Sequence, residues 1–76
     1  MNNTRRKKLA RIQDKLREIQ DDLRELMEEE EEYRDNMPEN LQESERYEKA
    51  DEACDNMQCA VDSIDECCDS IDECLN

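Results

Sequence analysis

Glycine, histidine, phenylalanine and tryptophan are absent from the sequence, and proline occurs once, at Pro38. Each absence excludes something. Tight β turns draw mostly on Gly and Pro, so a sheet of short strands is disfavoured and long helices remain. Without histidine, neither a Ser–His nor a Cys–His nucleophile pair can be assembled. Without glycine there is no phosphate-cradling loop. Carboxylates abound, but a thin helical hairpin offers no cleft in which to raise a carboxyl pKa. The chain is therefore expected to be non-enzymatic and to need no cofactor. No apolar run is long enough to cross a bilayer, and the basic start lacks the apolar core of a secretion signal. A cytoplasmic protein with no membrane partner is expected. Five cysteines fit a reducing compartment, and their odd number argues against a closed disulfide framework.

What is present is charge and periodicity. Charged residues make up 46% of the 76 positions, a proportion that alone suggests disorder. The apolar residues, however, recur with coiled-coil spacing. The series Leu9, Ile12, Leu16, Ile19, Leu23, Leu26, Glu30, Tyr33, Met37 alternates steps of three and four, with one polar break at Glu30. Tyr47, Ala50, Cys54, Met57, Val61, Ile64, Cys68, Ile71 and Leu75 do the same without a break, and Ala53, Ala60, Cys67 and Cys74 add a column of small residues at the neighbouring g position. Residues 61–67 are nearly duplicated in 68–74, a repeat of one heptad.

Pro38 disfavours continuing a helix through Met37. The sequence predicts one domain over 1–76, with a helix at about 4–35, a turn at 36–43 and a helix at about 44–75. Thr4 or Asn3 can cap the first helix, Asn36 a short turn beginning at Pro38, and Asn40 with Glu43, or Ser44 alone, the second. Equal arms and a short connection make the fold all-α, a two-helix antiparallel coiled-coil hairpin. The expected register sets Leu9 near Ile71, Leu16 near Ile64, Leu23 near Met57 and Tyr33 near Tyr47. It places the basic block Arg5, Arg6, Lys7, Lys8, Arg11, Lys15, Arg17 beside Asp62, Asp65, Glu66, Asp69, Asp72 and Glu73, and Glu28 to Glu32 near Arg46 and Lys49. Both blocks oppose their own helix dipoles, at up to about 1 kcal/mol each. Cross-helix pairing is a reason to tolerate that.

Three groups of residues are candidates for chemistry. Cys54 and Cys68 at a, with Cys67 and Cys74 at g, coincide with the buried stripe, where thiols act as small hydrophobes. Cys59, at f, is expected on the surface. Disulfides between chains are a second possibility and a metal site a third, although neither Cys-x-x-Cys nor histidine is present. Asp62, Asp65, Glu66, Asp69, Asp72 and Glu73 line one flank of helix two, and no cation follows Lys49. This row is either a solvated face that pairs with helix one or a line of charge resembling a phosphate backbone, suited to a groove built for nucleic acid. Calcium is disfavoured, since its oxygen ligands converge on a turning loop. Arg5 to Lys8 are either a short phosphate-binding arm or, the stronger reading, the counter-charge to the acidic end of helix two, since the net charge of −13 opposes direct contact with nucleic acid. Glu30 either fixes register from within the seam, opposite Ala50, or marks fraying near the turn.

The turn Asn36-Met37-Pro38-Glu39-Asn40-Leu41-Gln42-Glu43-Ser44-Glu45-Arg46, with the basic start, the Leu/Ile heptads and the Asp-x-Ile-Asp-Glu repeats, resembles small acidic helical-hairpin proteins of phages and prophages of Gram-positive gut bacteria. Such relatives are expected to carry Ala where this chain has Cys54, Cys67, Cys68 and Cys74, a departure that weakens any thiol mechanism. The resemblance implies a bacterial host cytoplasm and a protein that blocks host defence or nucleic-acid enzymes. It transfers no functional residues.

Helix two has a wider apolar face than one partner helix can cover. A homodimer forming a four-helix bundle is expected, with an interface of Ala53, Cys54, Met57, Ala60, Val61, Ile64, Cys67, Cys68, Ile71 and Cys74. Three function classes remain. The first is a phage-derived inhibitor, a nucleic-acid mimic whose acidic helical surface engages a basic protein partner such as a nucleic-acid enzyme. The second is a structural or assembly coiled-coil module. The third is a small-ligand sponge formed between subunits.

Overall fold

A computed structural model describes residues 1–42 and 44–76. The chain is a helical hairpin: α1 spans Asn3–Asp35, a 3-10 turn spans Glu39–Leu41, and α2 spans Glu45–Leu75. Among the described residues there is no strand, and no helix is long and apolar enough to cross a membrane. The rod measures 59 by 15 by 13 Å.

The ends of the helices follow from local chemistry. The cap of α1 is Asn2, one residue ahead of the expected pair. Its extended backbone lets the side-chain oxygen accept from the Arg5 N–H at 2.8 Å. Asn2, Asn3 and Thr4 can all cap, and the earliest of them leaves Asn3 free to accept from Arg6. Helix α1 stops at Asp35, where the Asn36 N–H still reaches the Glu32 carbonyl but Pro38, extended at φ −57° and ψ 147°, ends the winding. Asn36 is the C-cap of α1 and does not cap the turn, whose N-terminal flank is Pro38 itself with no side-chain cap. Ser44 caps α2, its hydroxyl accepting from the Tyr47 N–H at 3.3 Å. The alternative capping by Asn40 with Glu43 rests on a residue outside those described.

The arms run antiparallel. Contacts join residue 13 to 68 and 72, 20 to 61 and 65, and 34 to 51. Ala50, Cys54, Val61, Cys68 and Ile71 of α2 are buried, so the second apolar series forms the floor of the seam.

Helix α1 presents a different face from the one its aliphatic residues suggest. Its inward residues are Leu9, Gln13, Leu16, Gln20, Leu23, Met27, Glu30 and Arg34, and Met37 continues the row into the turn. The a positions face α2 as expected, but their partners are the e positions. The d residues Ile12 (51% exposed), Ile19 (51%), Leu26 (54%) and Tyr33 (50%) are left half in water. The helix is rotated so that the polar groups at e can reach acceptors on α2. Full burial of such a side chain is worth roughly 1.5–3 kcal/mol, so each half-exposed one forgoes about 1 kcal/mol.

Candidate interaction faces

A ladder of polar contacts explains that rotation. Gln20, 1% exposed, sits against α2 and its amide donates to the Val61 carbonyl at 2.9 Å and to Asp65 Oδ1 at 2.8 Å. Its own oxygen accepts from Arg17 Nη1 at 3.0 Å. One heptad earlier, Gln13 repeats the arrangement, donating to the Cys68 carbonyl at 3.0 Å and to Asp72 Oδ1 at 2.7 Å. Near the turn the same column carries Arg34, which holds Asp51 at 2.9 Å. Each clamp thus joins an α1 side chain to a carboxylate at an e position of α2. The glutamines bind in addition the carbonyl one turn earlier.

Asp65 receives the Gln20 amide and the Arg17 guanidinium, at 2.7 Å, and these hold its carboxyl below the usual carboxylate range. The group is exposed enough that the ion pair itself is weak. Its sign is still testable. A depressed folded-state pKa contributes stability above the unfolded value near 3.8, which is lost as pH falls through the lower folded value. The melting temperature of Asp65→Asn should lie below that of the parent at neutral pH, and the gap should close in stronger acid. A gap independent of pH would show that the charge of Asp65 contributes nothing.

The six acidic candidates therefore divide. Asp65, half-buried, and Asp72, exposed, both accept from α1 and hold the hairpin together. Asp62, Glu66, Asp69 and Glu73 are exposed, and Asp62 accepts from Gln58 of its own helix. Basic residues pair more sparsely than expected. The cross-helix ion pairs among the described residues are Arg17–Asp65 and Arg34–Asp51, while Lys49 binds Glu45 one turn earlier. Lys7, Lys8, Arg11 and Lys15 lie on outward columns and make none.

The ten residues expected between subunits also divide. Cys54, Val61, Cys68 and Ile71 are buried against α1 within one chain and have no surface left for a second. Ala53, Met57, Ala60 and Ile64 remain partly exposed, and Cys67 and Cys74 are exposed rather than buried. The g column points away from the seam because α1 sits over the a and e side of α2. All five cysteines are free thiols, with Cys59 on the surface as expected. Burial pushes the Cys54 thiol up, so it is less ionised than an ordinary thiol. Glu30 is half-buried in the seam and Ala50 is almost fully covered.

The half-exposed row of α1 ends at the turn in an open pocket of about 660 Å³ lined by Tyr33, Asn36, Met37, Pro38, Leu41, Ser44, Glu45 and Arg46. Its walls are mostly apolar, and Arg46 is its cation. Two faces thus flank the seam: a polar one built from clamps and carboxylates, and an apolar one formed by the α1 row beside the small residues of α2. The chain matches no protein-family model, no characterised protein and no solved structure.

Proposed function

We propose that this hairpin is a non-enzymatic protein-binding module that pairs with itself through its apolar side and offers its acidic side to a basic groove. The observation that supports it is the outward column of Asp62 and Asp69, with Glu66 and Glu73 beside it, on a helix that carries no cation after Lys49. A preformed helix holds such charges at fixed intervals, so binding need not order the backbone that carries them. With a net charge of −13, the natural complement is a surface lined by Arg and Lys, such as that of a nucleic-acid enzyme. Self-association gives a four-helix bundle. The setting is that of a phage-derived inhibitor in the cytoplasm of a bacterial host.

The test uses Asp62→Lys with Asp69→Lys, since these residues hold no cross-helix contact. Reversal of Asp65 or Asp72 would break the clamps and confuse binding with folding. The parent should capture a nucleic-acid enzyme from host lysate at low salt, lose it at high salt and lose it to added DNA or RNA. The double variant should capture at least tenfold less. Equal capture by both would discard the acidic face as the contact.

The half-exposed apolar row of α1 favours a second reading, an assembly module that docks helices of a larger complex. Capture on that route would survive high salt, because apolar burial is not screened.

A further inference from the structure

The half-exposed row of α1 and the uncharged strip of α2 lie on the same side of the rod, and together they are self-complementary. We infer that two copies associate face to face about a two-fold axis parallel to the helices, so that α1 of each lies antiparallel on α2 of the other, with Lys8 and Lys15 beside Glu73 and Glu66 of the second copy. This rests on the reading that the chain dimerises and adds the arrangement.

Size is the first reason. Ile12, Ile19, Leu26 and Tyr33 recur every seven residues along α1, and each is about half exposed. Ala53, Ala60, Cys67 and Cys74 recur every seven along α2, with none fully buried. The adjoining c column continues with Asn56, Ser63 and Ser70, so from Ala53 onward this strip carries no charge in a helix otherwise crowded with carboxylates; Arg46 and Lys49 hold the same columns beside the turn. Large knobs at heptad intervals fit between small residues at the same interval. In the register seen within one chain, where residue 20 lies against 61 and 65, Ile19 falls between Ala60 and Cys67 of the second copy.

Charge is the second reason. Lys8 and Lys15 occupy the g column bordering the row, and neither has an ion-pair partner among the described residues; nor do Glu66 and Glu73, in the f column beside the strip. The same register brings Lys8 within a turn of Glu73, and Lys15 within a turn of Glu66, across the interface. The other face-to-face symmetry, with the axis perpendicular to the helices, stacks α1 on α1 and α2 on α2. That sets large residues against large ones and brings two acid-rich helices together. Area agrees with a stable pair. A face 59 Å long and 15 Å wide covers on the order of 900 Å², against roughly 800 Å² per partner in a typical stable interface. Asp62 and Asp69 stay outward in this dimer, so their column remains for the acidic contact, while Glu66 and Glu73 are taken up by the lysines of the second copy.

Two charge variants test it. Lys8→Glu with Lys15→Glu sets Glu against Glu in its own dimer, and Glu66→Lys with Glu73→Lys sets Lys against Lys. By sedimentation equilibrium each should dimerise at least tenfold more weakly than the parent, and an equimolar mixture should recover the dimer mass as heterodimer. If the parent is a dimer but both variants dimerise normally, this arrangement is overturned and self-association stands. If the parent sediments as one chain at every concentration, both fall. Thiol labelling gives a second readout that needs no variant. Cys67 should react more slowly than Cys59 in the dimer and match it on dilution. Equal rates at concentrations where the parent is dimeric would place the interface elsewhere.

Discussion

Substituting Cys68→Asp should leave the chain largely unfolded at 25 °C, with most of its helical circular dichroism lost, whereas Cys59→Asp should keep the parent spectrum. Both changes place the same residue mid-helix and alter net charge equally, so helix propensity and overall repulsion cancel in the comparison. They differ in position. Cys68 is completely covered by α1, and its carbonyl accepts from Gln13; Cys59 is on the surface. A buried carboxylate costs several kcal/mol unless a cation pairs with it, and the neighbouring Arg17 is already held by Asp65. A domain of this size has only about 3–5 kcal/mol to lose. If the two variants keep the same helicity, α1 does not cover α2 as described.

The second large effect belongs to Gln20. Gln20→Ala removes the amide that holds Asp65 and the Val61 carbonyl and the oxygen that accepts from Arg17, and it opens space in the seam. A hydrogen bond to a charged group contributes about 1.5–3 kcal/mol, and the higher helix propensity of Ala returns only a few tenths. The expected loss is about 2 kcal/mol, read as a fall in the urea midpoint with little change in slope. Gln13→Ala, whose bond to Asp72 is exposed, should cost less than half of that. Equal costs would mean that burial does not set the strength of these clamps. Gln20→Leu separates packing from hydrogen bonding: it fills the space but strands the carboxylate of Asp65 with Arg17 alone, and it should fall between parent and Ala.

Much of the hairpin was legible from spacing. The three-four alternation defines both helices, Pro38 marks where the first must stop, and opposed charge blocks give the orientation. The rotation of α1 was not legible from its aliphatic residues, because Ile12, Ile19, Leu26 and Tyr33 complete an apparently perfect a/d series. The signal lay in residues that an apolar count ignores. Gln13 and Gln20 stand seven apart, opposite Asp72 and Asp65, also seven apart. Helix two reads as one uniform acidic flank, yet its e column binds inward and its b and f columns face water. That distinction depends on which side α1 covers, which the sequence of α2 alone does not carry.

The clamps of Gln13 and Gln20 occupy successive heptads, and so do the near-duplicate segments that receive them on α2. Neither clamp borrows atoms from the turn. A hairpin assembled this way has an adjustable reach: one more Gln-bearing heptad on the first arm, with one more Val/Cys-and-Asp heptad on the second, lengthens the rod by about 10 Å. The turn and both ends stay as they are. Arm length is then a dimension that duplication can change in whole increments, without redesign of the join.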